Sequence, residues 1–338
     1  MPDDAGWSMR RLTQSRVRML YPISVPKPGS AEDLVGFIDR QGRTAIQPVY
    51  LGGSHFHEGK ASVVDTSGKS GFIDDVGTLV IACRFQGLGK FRSGLCSING
   101  GFIDHSGEWV IEPRFAVAGN FSEGRAVAST DGETFGFVDS TGGFVIRPEF
   151  QQCRQFSDGL GSVCRDGRWG YIDHRGEIKI PLVFEGPQAQ CFRNGVAGVQ
   201  IDSRWGFIDH YGAFVVKPEY DDIRFFSEGY APVQRNKKWG VINIEGQQVV
   251  DCRFDELREF DQGLAPAKID GKAGFISPNG SWVIQPAFDR CYRFWGSLAV
   301  VRVGNVYKYV HRNGDVAWTS EPGAAVQTPP LFGDWPEV

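Results

Sequence analysis

One phrase recurs about every 34 residues: Gly-Phe-Ile-Asp-x-x-Gly, then Val-Ile-x-Pro-x-Phe, then Phe-Ser-Glu-Gly-x-Ala-x-Val. It opens at Gly36, Gly71, Gly101, Gly136, Gly170, Gly206, Gly240 and Gly274, and a degenerate ninth copy runs from Tyr307 to Trp318. A fixed period of this length means that one small unit is built repeatedly and that each unit buries its apolar face against its neighbours. Repeated residues are those the architecture needs, so activity is expected in residues that break the pattern.

Each unit reads as a three-stranded meander. In Leu160 to Ile180, Gly161 to Cys164 is extended, Asp166-Gly167 turns, Trp169 to Ile172 is a second strand, Asp173 to Gly176 turns again, and Ile178 to Ile180 is a third. Asp-Gly and Asn-Gly between strands mark tight hairpins, and the same device stands at Asn99-Gly100, Asp131-Gly132 and Asp270-Gly271. Pro48, Pro113, Pro148, Pro181, Pro218 and Pro286 are expected to end the third strands, because proline cannot donate to a ladder. Connectors such as Glu219 to Gly229 then lead into the next unit. Nine units fit, starting near Leu20, Ala61, Leu95, Ala126, Leu160, Val196, Tyr230, Leu264 and Leu298, the first with Pro26 to Asp33 in place of a tight turn. Adjacent apolar pairs such as Phe207-Ile208 and Val215-Val216 imply sheets covered on both faces.

The fold expected is therefore all-β: an array of about nine three-stranded antiparallel repeats. A propeller-like toroid or shallow spiral is preferred, with an open β-solenoid as the alternative. No strand is divided between the termini, so a clasp is not visible in the sequence. Residues 1–18 read as a cap or disordered segment, 19–318 as the array, and 319–338 as a Pro-containing tail whose Leu331, Phe332 and Trp335 suit a strap over the last unit.

Composition agrees: Gly is abundant at 44 residues and Met scarce at 3, as turns without long amphipathic helices require. The net charge of −4 is interspersed, which argues against nucleic acid or an acidic membrane as partner. Met1 to Leu20 carries no apolar run, so neither a signal peptide nor a membrane span is expected and the cytoplasm is the expected compartment. Seven cysteines without a Cys-x-x-Cys read as buried free thiols. Cys83 and Cys252 replace the proline, and Cys153 and Cys291 share a connector position.

The Trp-Gly pairs at Trp169-Gly170, Trp205-Gly206 and Trp239-Gly240, preceded by Arg168, Arg204 and Lys238, resemble the bacterial WG-containing (KWG) repeat. The resemblance covers roughly Leu34 to Trp318. It implies a β-repeat array and carries over no catalytic residue. Trp is replaced at Val35, Ser70, Gly100, Phe135 and Ala273, where looser packing is expected.

Several columns could carry chemistry. Asp39, Asp74, Asp104, Asp139, Asp173 and Asp209 could supply paired carboxylates, but each opens a turn closed by Gly, and the Asx-turn role is preferred. His105, His174 and His210 lack zinc-ligand spacing. Trp109, Phe144, Phe214 and Trp282 could form a platform for sugars, with core filling between sheets as the preferred reading. Arg154, Arg224 and Arg258 could form an anion-binding row, or pair with Glu123, Asp158 and Glu228. No phosphate loop, Gly-x-Ser-x-Gly or His-Glu-x-x-His occurs.

The function expected is a non-enzymatic binding scaffold with another protein as partner, no cofactor and no metal. Its candidate surface comprises Trp109, Trp282, Arg154, Arg224, Arg258, Phe332 and Trp335. The alternative is a glycan-binding or glycan-cleaving repeat protein.

Overall fold

The structure is a computed structural model that describes residues 18–27, 29–30, 32–187 and 189–322. Phe332, Trp335 and most of the tail lie outside the described residues. Among those described there is no helix. The chain forms nine small antiparallel sheets in sequence order, here blades 1 to 9.

Blade 5 shows how the phrase folds. Leu160–Arg165 pairs with Arg168–Ile172 across Asp166-Gly167, whose φ angles of 52° and 71° give the left-handed turn a tight hairpin needs. At Asp131-Gly132 the expectation of a tight hairpin fails. Ala128 pairs with Gly136 across a longer loop, which the Asp131 carboxylate organises by accepting the Glu133 and Thr134 N–H groups at 2.8 Å.

The third strand does not end at proline. Ile178–Phe184, Phe144–Phe150 and Phe214–Tyr220 run through Pro181, Pro148 and Pro218, and in blade 3 alone of these units the strand, Trp109–Ile111, stops short. Proline is tolerated because this is an edge strand that bulges there: Trp205 pairs with Tyr220 while Phe207 pairs with Val216. The bulged carbonyl explains the Gly of Trp-Gly. A β-carbon on Gly206 would lie 2.5 Å from the Val216 oxygen, and on Gly240 2.5 Å from that of Val250.

The connectors supply a fourth strand that the three-stranded reading missed. Seven blades carry it: Gly52–Gly53 in blade 2, Phe91–Arg92 in blade 3, Val117–Ala118 in blade 4, Gln152–Ser157 in blade 5, Asp222–Ile223 in blade 7, Glu256–Leu257 in blade 8 and Arg290–Trp295 in blade 9. Among the described residues, blades 1 and 6 have three strands. In blade 6 the stretch from Phe184 to Phe192 is two residues longer than Phe150 to Phe156. The opposite edge strand is the outer one and is covered on one face only: Val145, Val249 and Val283 are exposed while Ile146, Val250 and Ile284 beside them are buried.

Nine apolar clusters match the nine sheets. Eight join consecutive blades, as where Trp205 and Tyr220 of blade 6 pack with Phe226 and Val233 of blade 7. The ninth joins Tyr21, Ile23 and Ile38 of blade 1 to Leu298, Val300 and Tyr309 of blade 9. An open row of nine sheets has eight such seams, so the array is closed: a nine-bladed β-propeller. Closure uses side chains and no shared strand. The Tyr309 hydroxyl donates to the Pro22 carbonyl at 2.7 Å, and the Ser297 N–H donates to the Tyr21 hydroxyl at 3.0 Å. Blade 9 ends with the strand Val316–Thr319, and Ser320 N–H donates to the Tyr307 carbonyl at 2.8 Å. The array thus runs past residue 318.

Candidate functional site

Most repeated residues are consumed by the ring. The Asp column forms turns: Asp173 accepts the Arg175 and Glu177 N–H groups at 2.9 and 3.0 Å, and Asp209 accepts those of Tyr211 and Ala213 at 2.9 Å each. Hydroxyl donation from Ser106, with backbone N–H groups, holds the Asp104 carboxyl below its usual range, and Thr141 does the same for Asp139.

The acids of the Phe-Ser-Glu-Gly turns staple blades together. Glu123 accepts the Gly159 N–H of the next blade at 3.1 Å, and Glu228 accepts those of Gln262 and Gly263 at 2.7 Å. The histidines complete these staples. His105, His174 and His210 stack on Phe91, Phe156 and Phe192 of their own blades, and His105 and His174 reach Glu58 and Glu123 of the preceding blade at 3.2 Å. Among the described residues no three His, Cys, Asp or Glu side chains gather into a metal site.

The residue before Trp-Gly has a staple role that the sequence did not reveal. Arg168, Arg204 and Lys238, and Lys272 before Ala273-Gly274, pair with Glu185, Asp221, Asp255 and Asp289 at the end of their own blade. Those carboxylates in turn accept N–H groups from the next hairpin, such as Asn236 to Asp221 at 2.7 Å and Gly304 to Asp289 at 2.6 Å.

The predicted surface residues are dispersed. Trp109 and Trp282 are half-buried wedges, edge-on to Phe85 and Phe254 of the preceding blade at 5.6 and 5.7 Å. Arg154, Arg224 and Arg258 are half-buried on blades 5, 7 and 8. The Arg224 guanidinium lies 4.6 Å over the Trp239 ring and 3.6 Å from Asp222.

The structure brings a different set together. Each inner connector carries one aromatic that fills the seam with the preceding blade, as Phe156 packs on Phe137 at 4.8 Å and Phe226 on Phe207 at 4.7 Å. The residue before that aromatic is His55, Lys90, Asn120, Gln155, Cys191, Phe225, Glu259 or Arg293 in blades 2 to 9: eight blades, eight residue types. The residue after it also varies, through His57, Arg92, Arg193, Asp261 and Trp295. Residues beside that aromatic on an extended chain point to the opposite side from it.

Contacts between non-neighbouring blades bring several of these residues near the ring axis, since only side chains near the axis can skip a blade. Trp295 of blade 9 packs on His55 and His57 of blade 2, at ring separations of 4.8 and 5.5 Å, across blade 1. Arg193 of blade 6 interacts electrostatically with Glu259 of blade 8 and Arg293 of blade 9, and its guanidinium lies 4.2 Å over Phe225 of blade 7. Burial lowers the Arg193 pKa to about 10, which leaves it cationic at neutral pH. Burial likewise raises the Asp261 carboxyl, opposed by Arg293 and Arg312, and pushes the Cys191 thiol up to about 11. All seven cysteines are free thiols, five of them buried. The signal for this axial set was present in the sequence as a hypervariable position beside an invariant aromatic.

The family described as WG containing repeat matches residues 36–69, 71–99, 101–133, 135–169, 169–205, 205–239, 239–272 and 274–307. No curated protein matches the sequence. Among solved structures, the chain is similar to a eukaryotic initiation factor at 10% identity and a TM-score of 0.61, covering 91% of this chain and 97% of that one. It also matches the computationally designed Ika8 protein at 15% identity and a TM-score of 0.48, over 77% and 93% of the two chains. BamB from Moraxella catarrhalis matches at 12% identity and a TM-score of 0.44, over 79% and 95%. At these identities the initiation factor shares the fold alone.

Proposed function

The chain belongs to the WG-containing repeat family, and from that membership and its closed ring we propose that it is a non-enzymatic binding scaffold whose partner is another protein. The observation that carries this reading is the division of labour among positions. Gly, Trp, Asp, Phe and the turn acids are held by bonds within and between blades, whereas the axial column differs in every blade from 2 to 9. Stability that comes from neighbour stacking leaves such positions open to selection for recognition. The positions beside the inner aromatics include Arg193, Arg293 and Trp295, residue types enriched in binding hot spots. Seven free thiols accord with a reducing compartment, and we place the protein in the cytoplasm on that ground.

Affinity capture from the native host at native salt tests the reading, with Gln155→Ala plus Phe225→Ala as the comparison. The expected result is a reproducible protein partner recovered with the unaltered chain and lost with the variant, the melting temperature being little changed. Recovery of no reproducible partner, together with tight binding of a small molecule, would overturn it.

A further inference from the structure

Repeat-breaking residues gather at the seam where blade 9 meets blade 1. The strands Arg290–Trp295, Leu298–Val303 and Val306–His311 pair in a register that sets Arg290 opposite Arg302 and Arg302 opposite Tyr307. Cross-strand partners share a face of the sheet, and this is the face that turns Val300 and Tyr309 toward blade 1. Like charges directly opposite each other destabilise a ladder. In five other blades the corresponding pairs are Gly52–Val64, Val117–Ser129, Gln152–Cys164, Asp222–Gln234 and Glu256–Lys268, none of them alike in charge. Tyr307 stands where blades 5, 6 and 7 have the Trp of Trp-Gly. Trp169, Trp205 and Trp239 are buried, whereas Tyr307 and Tyr292 are half-buried and Arg290 is exposed. The Arg290 guanidinium interacts with the Tyr292 hydroxyl and with Tyr307. Two acids lie near, and both are already engaged. Asp289, beside Arg302, is held by Lys272 at 2.8 Å and by the Gly304 N–H at 2.6 Å, and Glu256, beside Arg290, pairs with Lys268 at 3.3 Å. Among the described residues neither arginine forms an ion pair, and the Arg302 Nε is buried without a hydrogen-bond partner.

We propose that this end of the seam binds a phosphate monoester, its oxygens met by the guanidiniums of Arg290 and Arg302 and the hydroxyls of Tyr292 and Tyr307. The anion separates two like charges and gives the Arg302 Nε an acceptor. Arginine suits the role because its planar fork meets phosphate bidentately. Three acceptor oxygens and nearly two charges match this donor set better than the two oxygens and single charge of a carboxylate. Val25 and Leu34 of blade 1, paired with each other and half-buried, continue the face that Ile23 turns toward blade 9 and offer an apolar wall to the organic side of the ester. The site goes beyond the scaffold reading and does not depend on it. Two sources present such a group, a phosphorylated side chain of a partner protein and a free small phosphate.

The test titrates the full chain by calorimetry, at one ionic strength, with four probes: inorganic phosphate, a short peptide with a central phosphoserine, its unphosphorylated twin, and acetate. Saturable binding of phosphate and of the phosphopeptide is expected, and none of the twin or of acetate. Arg290→Gln with Tyr307→Phe should weaken both phosphate probes by about tenfold or more, the usual cost of losing hydrogen bonds to a charged group. If that variant unfolds, Arg290→Gln alone, at an exposed position, is measured in its place with the same expectation. A phosphopeptide bound more tightly than inorganic phosphate identifies a partner's side chain as the source, and equal or weaker binding identifies a free small phosphate. Absence of saturable phosphate binding, equal binding by a folded variant, or binding of acetate or the twin as tight as that of the phosphate probes would each overturn the proposal.

Discussion

At the scale of single residues, the Trp-Gly pair has two separate jobs. Trp205 is buried in the seam between blades 6 and 7, so Trp205→Ala should cost about 3 to 5 kcal/mol in urea unfolding, the usual cost of emptying a large aromatic site. A loss below about 0.5 kcal/mol would place the ring in solvent instead. Gly206 is needed for space. A β-carbon there meets the Val216 carbonyl, and Gly206→Ala should cost at least the roughly 1 to 3 kcal/mol of an overpacked core. Gly167→Ala is the control: nothing lies within 4 Å of its β-carbon, and its φ of +71° adds only the roughly 1 to 2 kcal/mol of a left-handed alanine. The Trp role was legible from apolar repetition. The Gly role was not, because it depends on a bulge in the partner strand, and a bulge is a property of two strands in register.

At the scale of elements, the strands were legible wherever a local signal defines them. Turn dipeptides and Asp-x-x-Gly placed the hairpins, while the innermost strand stayed hidden in the connectors because its short, mixed sequence has no period of its own. The staples were hidden for a related reason: Glu123 and Glu228 answer to backbone N–H groups one blade away, a partner no spacing reveals. The Asp turns make a pH prediction. Asp104 and Asp139 are held below the ordinary 3.8, so the stability they contribute is fully present above that value and is lost as pH falls through their lower folded values. Denaturation midpoints should therefore decline below about pH 4. Asp139→Asn, which keeps an acceptor for the turn, should flatten part of that decline.

At the scale of the whole molecule, nine units and a ring-like form were legible from the period, but closure was not. Closure depends on Tyr21, Tyr309 and their neighbours meeting across nearly the full length of the chain. Tyr309→Phe leaves the Pro22 carbonyl without its donor, at a cost of about 1 to 3 kcal/mol. Amide hydrogen exchange should accelerate in blades 1 and 9 and stay unchanged in blade 5. Uniform acceleration would show that the seam is no weaker than the rest.

Because the first and last blades share no strand, the ring resembles a split washer. A load applied at the two ends falls first on the one seam that no chain segment bridges. Pulled in an optical trap, the molecule should part there at low force and then lose blades singly from either side. Each event should release roughly 34 residues, on the order of 110 to 120 Å of contour, and produce a sawtooth with teeth of one height class after the first.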